Sequence, residues 1–363
     1  MSGVSPASVA AKTGNQQQAV SFSASRGFLQ RLQQVDASLL FSSYQSNVLY
    51  MLGRNGQGGL NVHHAALAKP MGIAPVASNG FYLASERAIE HYTNGLRADQ
   101  RVNGLFDANF MPRRIHLTGA LDAHDVGVMA DGTAVFVNTR FNCLAVPSLR
   151  HAFAEIWRPD FISALVDEDR CHLNGLAMRD GAPGFVSAVS KSDTIDGWRD
   201  RRRDGGILID VSTNQIVCSG LSMPHSPRWH DEKLWVLNSG NGEFGFVDLD
   251  GAKFEPVAFC PGFVRGLAFW GSLAFVGLSK PRYKRFEGLA LDERLAEKDS
   301  EPWCGIQVID CQTGRCVDWF RLDGEIGEIY DVALLQGVRT PMATAAGAPD
   351  AANFITFEEQ DRA

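Results

Sequence analysis

Three histidines in this chain stand at or next to the start of a short apolar strand: His124 in HDV, His172 in CHLNG and His225 in PHSPRWH. Asp125 and Asn174 share those starts, Arg265 opens RGLAF, and Glu328 and Asp331 open EIYDVALL. Imidazole with carboxylate suits Zn, Fe, Mn or Cu, whereas carboxylate with an amide oxygen suits Ca or Mg. A divalent metal held among His124, His172, His225, Asn174, Glu328 and Asp331 is therefore expected. The expected catalytic set is His124, Asp125, His172 and Arg265, with a metal-bound water or a neutral imidazole as base. Arg140, Asn138, Asn238 and Lys280 are the expected substrate contacts, since arginine clamps a carboxylate or phosphate with paired donors. No nucleotide cofactor is expected. There is no Gly-Lys-Ser/Thr phosphate loop, and the glycines of GRNGQGG (53–59) fit no dinucleotide fingerprint.

The elements that must position these groups repeat. HDVGVMADGTAVFVNT (124–139), LNGLAMRDGAPGFVSAV (173–189), HSPRWHDEKLWVLNS (225–239) and RGLAFWGSLAFVGLS (265–279) each read as strand, tight turn, strand, with Phe136, Phe185, Trp235 and Phe275 near the second strand's centre. A weaker copy covers 71–85. A second hairpin follows in ILIDVSTNQIV (207–217), FGFVDLDGAKFEPV (244–257) and IQVIDCQTGRCVDWF (306–320), each first strand ending in Asp. Two hairpins per repeat make a four-stranded antiparallel unit of about 40–50 residues, the size of a β-propeller blade. The fold class is all-β. If EIYDVALL (328–335) supplies the inner strand before 37–45, the ring closes with six blades, the preferred count; if 37–45 is itself an inner strand, there are seven. One short helix is expected, at 289–298.

Strand order alone then gathers the polar residues. Inner strands start at one face of the ring, and each loop from second to third strand returns to that face. Asn138, Arg140, Asn238 and Lys280 lie in those loops, as do the two longest insertions, 190–206 and 280–303, which are expected to wall one mouth of the channel. Arg265 and Asp331 also suit a salt bridge between blades, and the basic run 201–203 reads as a solvated face, with contact to an anionic substrate as the alternative.

The chain has 363 residues, a net charge of −7 and 45% hydrophobic residues, so it has core material and lacks the basic balance that nucleic acid demands. No apolar run nears the ~18–20 residues of a membrane span. Seven cysteines without paired spacing read as reduced thiols, which points to the cytoplasm. Residues 1–26 read as a disordered tail, 27–337 as a single propeller domain and 338–363 as a flexible tail.

The strings NTRFNCLA (138–145), WRPDFISAL (157–165), EDRCHLNGLAMRDG (168–181), DGGILIDV (204–211), GLSMPHSPRWHDEKLWVLNSG (220–240) and RGLAFWGSLAFVGLSK (265–280) resemble a bacterial family known as domain of unknown function 4915, over roughly residues 37–341. That resemblance implies a propeller and no activity. The function expected from the site is metal-assisted hydrolysis, elimination or isomerisation of a small anionic molecule or a peptide. The competing expectation is a non-catalytic propeller that binds a ligand or a protein.

Overall fold

The computed structural model describes residues 8–10, 19–76, 80–283 and 285–357. Its strands form six antiparallel blades around a ring. Blade 1 takes its innermost strand from the far end of the chain, Asp331–Gln336, followed by Ala37–Ser43, Val48–Arg54 and Leu60–Ala66. Blade 2 is Ile73–Val76, Gly80–Ala84, Ala88–Asn94 and Ala108–Leu117, and blade 3 is Ala123–Val128, Ala134–Asn138, Cys143–Val146 and Ala154–Trp157. Blade 4 runs Leu173–Arg179, Ala182–Ala188, Gly206–Asp210 and Ile216–Leu221. Blade 5 runs Pro224–His230, Lys233–Asn238, Glu243–Asp248 and Lys253–Phe259. Blade 6 is Phe263–Trp270, Leu273–Ser279, Cys304–Asp310 and Cys316–Asp323.

The count is six because Asp331–Gln336 pairs antiparallel with Ala37–Ser43, Asp331 opposite Ser42 and Gln336 opposite Ala37. Two expected boundaries move outward. Ala19–Ala24 adds a fifth strand to the outer edge of blade 6, Ser21 opposite Asp323, and Pro341–Ala343 runs parallel to Ala108–Phe110 on blade 2. An outer propeller strand leaves a row of unpaired backbone groups, and these segments satisfy part of it. The expected tails otherwise fall partly on 1–7, 11–18 and 358–363, outside the described residues. The expected helix is present as Leu291–Glu297, and a second, Phe28–Gln34, packs Phe28 and Leu32 onto blade 6 beside Phe320.

The core lies between the blades. Strand side chains alternate faces, so each blade feeds both neighbours: Leu39 and Phe41 pack toward Phe275 and Phe320 of blade 6, while Leu40 packs toward Phe81 and Ile73 of blade 2. The aromatics that mark the repeats are the buried centres of these contacts; Phe136 faces blade 2, Phe185 faces blade 5, Trp235 faces blade 6 and Phe275 faces blade 1.

Polar ties stitch the same joints nearer the channel. Ser42 Oγ donates to the Met71 carbonyl (2.6 Å), Thr139 Oγ1 to Leu173 (2.7 Å), Ser239 Oγ to Val264 (2.6 Å) and Ser279 Oγ to Ile329 (3.1 Å). In each pair a hydroxyl leaving one blade's second strand meets a carbonyl at the entrance of the next blade. At the axis, Arg228 reaches from blade 5 to Asp125 Oδ2 of blade 3 (2.8 Å), the Leu176 carbonyl of blade 4 (3.0 Å) and Asp331 Oδ1 of blade 1 (3.4 Å). Asp125 Oδ2 also accepts from Leu176 N (2.9 Å), and Asp331 Oδ2 from Ile73 N of blade 2 (2.8 Å).

Candidate functional site

At the face where inner strands begin, a cavity of about 550 Å³ opens into the ring. Its wall carries His124, His172, Arg265, Lys280 and Glu328 of the expected residues, together with Asp122, Asp169 and Tyr330. Both insertions contribute: Trp198, Arg199 and Arg202 from the first, Arg282, Arg285 and Phe286 from the second. Arg203 of the first pairs with Glu293 of the second at 3.3 Å. Seven basic side chains face four acidic ones in this wall, although the whole chain carries −7.

The residue two before His124 and the residue two before His225 are left-handed: Asp122 has φ +55° and Met223 has φ +48°. That turn presents its carbonyl to the ring, so His124 Nδ1 donates to Asp122 O and His225 Nδ1 to Met223 O, both at 2.8 Å. The proton is thereby fixed on Nδ1 in both, leaving Nε2 as the acceptor. His225 spends that lone pair on Arg265 Nε–H (3.1 Å), with the guanidinium 5.0 Å from the Phe263 ring and 5.2 Å from the Tyr330 ring. His124 Nε2 has no partner among the described residues. Burial pushes its imidazole down to about 4 against the pull of Asp122, so it is neutral at pH 7. Burial, then Arg265, also lowers His225 far below its ordinary value.

His172 occupies the left-handed position itself, with φ +52°. Its Nδ1 faces Asp169 Oδ2 at 2.7 Å, and its backbone N donates to Asp169 Oδ1 at 3.0 Å. Trp198 of the first insertion stacks on the ring (4.1 Å, 27°), and His124 meets it edge to face (4.9 Å). The carboxylate orients the imidazole and directs the basic lone pair to Nε2, which has no partner among the described residues. Tyr330 lies beside His124 (5.9 Å), and burial raises its phenol far above the ordinary value, so it stays protonated.

Several expected roles are corrected. Asp125 and Asp331 do not reach this cavity; both are held by Arg228 at the axis, and Arg265, expected to bridge Asp331, is bonded to His225 instead. Asn138 and Asn238 are structural: their Oδ1 atoms accept from Phe141 N and Ser222 N, and Asn238 Nδ2 donates to Glu243. Arg140 is exposed and forks onto Asp167, away from the wall. Asn174 Nδ2 donates to the Pro224 carbonyl, tying blade 4 to blade 5.

The expected metal set is not assembled. His225 has both ring nitrogens engaged, Asn174 and Asp331 are committed to the scaffold, and among the described residues no group of three or more His, Cys, Asp or Glu side chains is arranged to hold an ion. Sequence reasoning missed Asp169, Trp198, Tyr330 and Arg228. Asp169 stands three residues before His172 and Tyr330 stands directly before Asp331, so both were within sight of residues already singled out.

A larger cavity, about 920 Å³, opens among the inner-strand ends. Its histidine and its carboxylate are both committed, His230 Nε2 to the Gly271 carbonyl (2.7 Å) and Asp107 to the backbone of Arg339 and Thr340. The first cavity, with two open imidazoles, is the candidate site.

A family model described as "Domain of unknown function (DUF4915)" matches residues 26–344. No curated protein matches the chain significantly. Among solved structures, a protein of unknown function from Bacteroides caccae is similar at 12% identity and a TM-score of 0.51, over 83% of this chain and 99% of that one. A chain of a nidogen/laminin complex is similar at 10% identity and the same TM-score, over 83% and 99%. Virginiamycin B lyase from Staphylococcus aureus is similar at 10% identity and a TM-score of 0.41, over 78% of this chain and 76% of that one. These likenesses concern the fold alone.

Proposed function

The chain belongs to the DUF4915 family over residues 26–344, a premise that supplies no activity, and from its own site we propose an enzyme that moves a proton on a small anionic substrate. The observation carrying this reading is the Asp169–His172 pair, open at Nε2 to a cavity whose charged wall residues are mostly cations. His172 is the base. Asp169 is a positioning residue that holds the tautomer and stabilises the imidazolium formed when the proton arrives. Arg265, immobilised by His225 and two aromatic rings, receives the carboxylate or phosphate of the substrate, and Lys280 and Arg202 add charge around it. Tyr330 is the candidate donor for the returning proton. Abstraction of a proton followed by its return elsewhere is isomerisation; abstraction followed by loss of a leaving group is elimination.

The test is proton–deuterium exchange. Purified protein is incubated in D2O with small carboxylates and phosphate esters, and loss of substrate C–H signal is followed by NMR. His172→Gln is expected to lower exchange by about 10²–10⁴-fold with the fold retained. Asp169→Asn is expected to lower kcat and displace the acid limb of the pH–rate profile, which a structural role alone would leave in place. Exchange should persist after chelation, since His172 takes the proton on its own Nε2 with no ion in the step. Equal exchange by His172→Gln would overturn the reading.

A further inference from the structure

Two buried polar atoms in the cavity wall lack partners, and they are of opposite sense. Glu328 lines the cavity and is only 4% exposed. Its Oε2 accepts from Ser43 Oγ (3.0 Å) and Gln45 N (3.3 Å), whereas Oε1 accepts from nothing. Trp198, buried in the same wall against His172, has an Nε1–H that donates to nothing. An unmet buried acceptor is costly, and the cost of a carboxylate oxygen exceeds that of a neutral group. An anion alone relieves the tryptophan and the surrounding guanidiniums but leaves Glu328 Oε1 unmet. It also leaves the lone pairs of His124 and His172 without a donor.

Resting on the anionic-substrate reading above, we propose that the substrate is a small acid that also carries a hydrogen-bond donor, a hydroxyl or an ammonium, and that Glu328 selects for this donor. The acid group lies toward Arg265 and Trp198, and the donor meets Glu328 Oε1. Burial raises the Glu328 carboxyl above its ordinary value, and Arg265 and Arg282 oppose part of that push. A ligand ammonium would add to that effect.

Matched acids test this by titration calorimetry on the full chain: succinate with no donor, malate with a hydroxyl and aspartate with an ammonium. The larger set is 3-phenylpropionate, phenyllactate and phenylalanine, because aromatic rings line the cavity. In at least one set the donor-bearing acid is expected to bind ten or more times tighter than its donor-free partner. Malate against aspartate, or phenyllactate against phenylalanine, tells hydroxyl from ammonium. Glu328→Gln should shrink the preference, read as the ratio of affinities within each pair, to under about threefold; if that variant does not fold, the wild-type ratios decide. Equal or tighter binding of the donor-free acids overturns the Glu328 assignment and leaves the anion site standing. Failure of all six acids to bind overturns both.

Discussion

His124 and His225 share one local structure, a ring nitrogen tied to the carbonyl two residues back, and differ most in what meets the other nitrogen. That difference can be measured through pH. The imidazole of His124 has its pKa depressed from 6.5 to about 4, so its contribution to stability is present above about 6.5 and is lost as pH falls through about 4. Asp331 behaves oppositely: burial raises it from 3.8 to about 7, so its contribution is fully present below about 4 and is lost as pH rises through about 7. The two oppose each other between pH 4 and 7. His124→Asn should therefore flatten the loss of stability on acidification, by up to about 3 kcal/mol, and Asp331→Asn should steepen it; denaturant melts at pH 4.5 and 7 check both signs. Arg228→Leu should cost about 3–5 kcal/mol at pH 7, because it leaves Asp125 and Asp331 buried without a cation. The penalty should shrink at pH 5, where Asp331 takes up a proton. A sequence shows that Asp125 and Asp331 are acidic residues on inner strands; it does not show that an arginine three positions after His225 lies between them. The axial cage was consequently read as part of the mouth.

Strands were the legible elements. Alternation, tight turns and the recurring aromatic identified the four clearest repeats and the closure by EIYDVALL, because those signals are local. The loop residues misled for a physical reason: Asn238-Ser239 has the composition of a binding loop, yet its polar atoms are consumed by the joint with the neighbouring blade. Only the distance to the next blade separates a ligand contact from a joint, and that distance is absent from a single sequence. Each hydroxyl tie should be worth about 0.5–1.5 kcal/mol, so Thr139→Val, which keeps the shape, should lower stability by that amount without altering ligand affinity. Gly266 is a tighter constraint. It has φ +78°, and a Cβ there would meet Val332 N at 2.6 Å across the joint between blades 6 and 1. Gly266→Ala should cost about 1–3 kcal/mol or more, through both strain and overpacking, and chemical denaturation reads it directly.

At the scale of the molecule, the ring is shut by one short strand drawn from the distant end of the chain, and that strand is preceded by two residues of the candidate site, Glu328 and Tyr330. The second insertion that walls the cavity, 280–303, is also late in the sequence, while blades 2 to 4 are complete by Leu221. A nascent chain emerging in order would therefore fold most of its scaffold before it possessed a competent site. Occupancy and ring closure are consequently linked equilibria: a ligand that touches Glu328 or Tyr330 binds the shut ring and not the open one, and so holds the two ends of the polypeptide together. Saturating ligand should slow the release of that last strand, seen as added hydrogen-exchange protection at Asp331–Gln336 and Ala37–Ser43, far more than at blade 3. The protein would then be switched on by the final step of its own assembly.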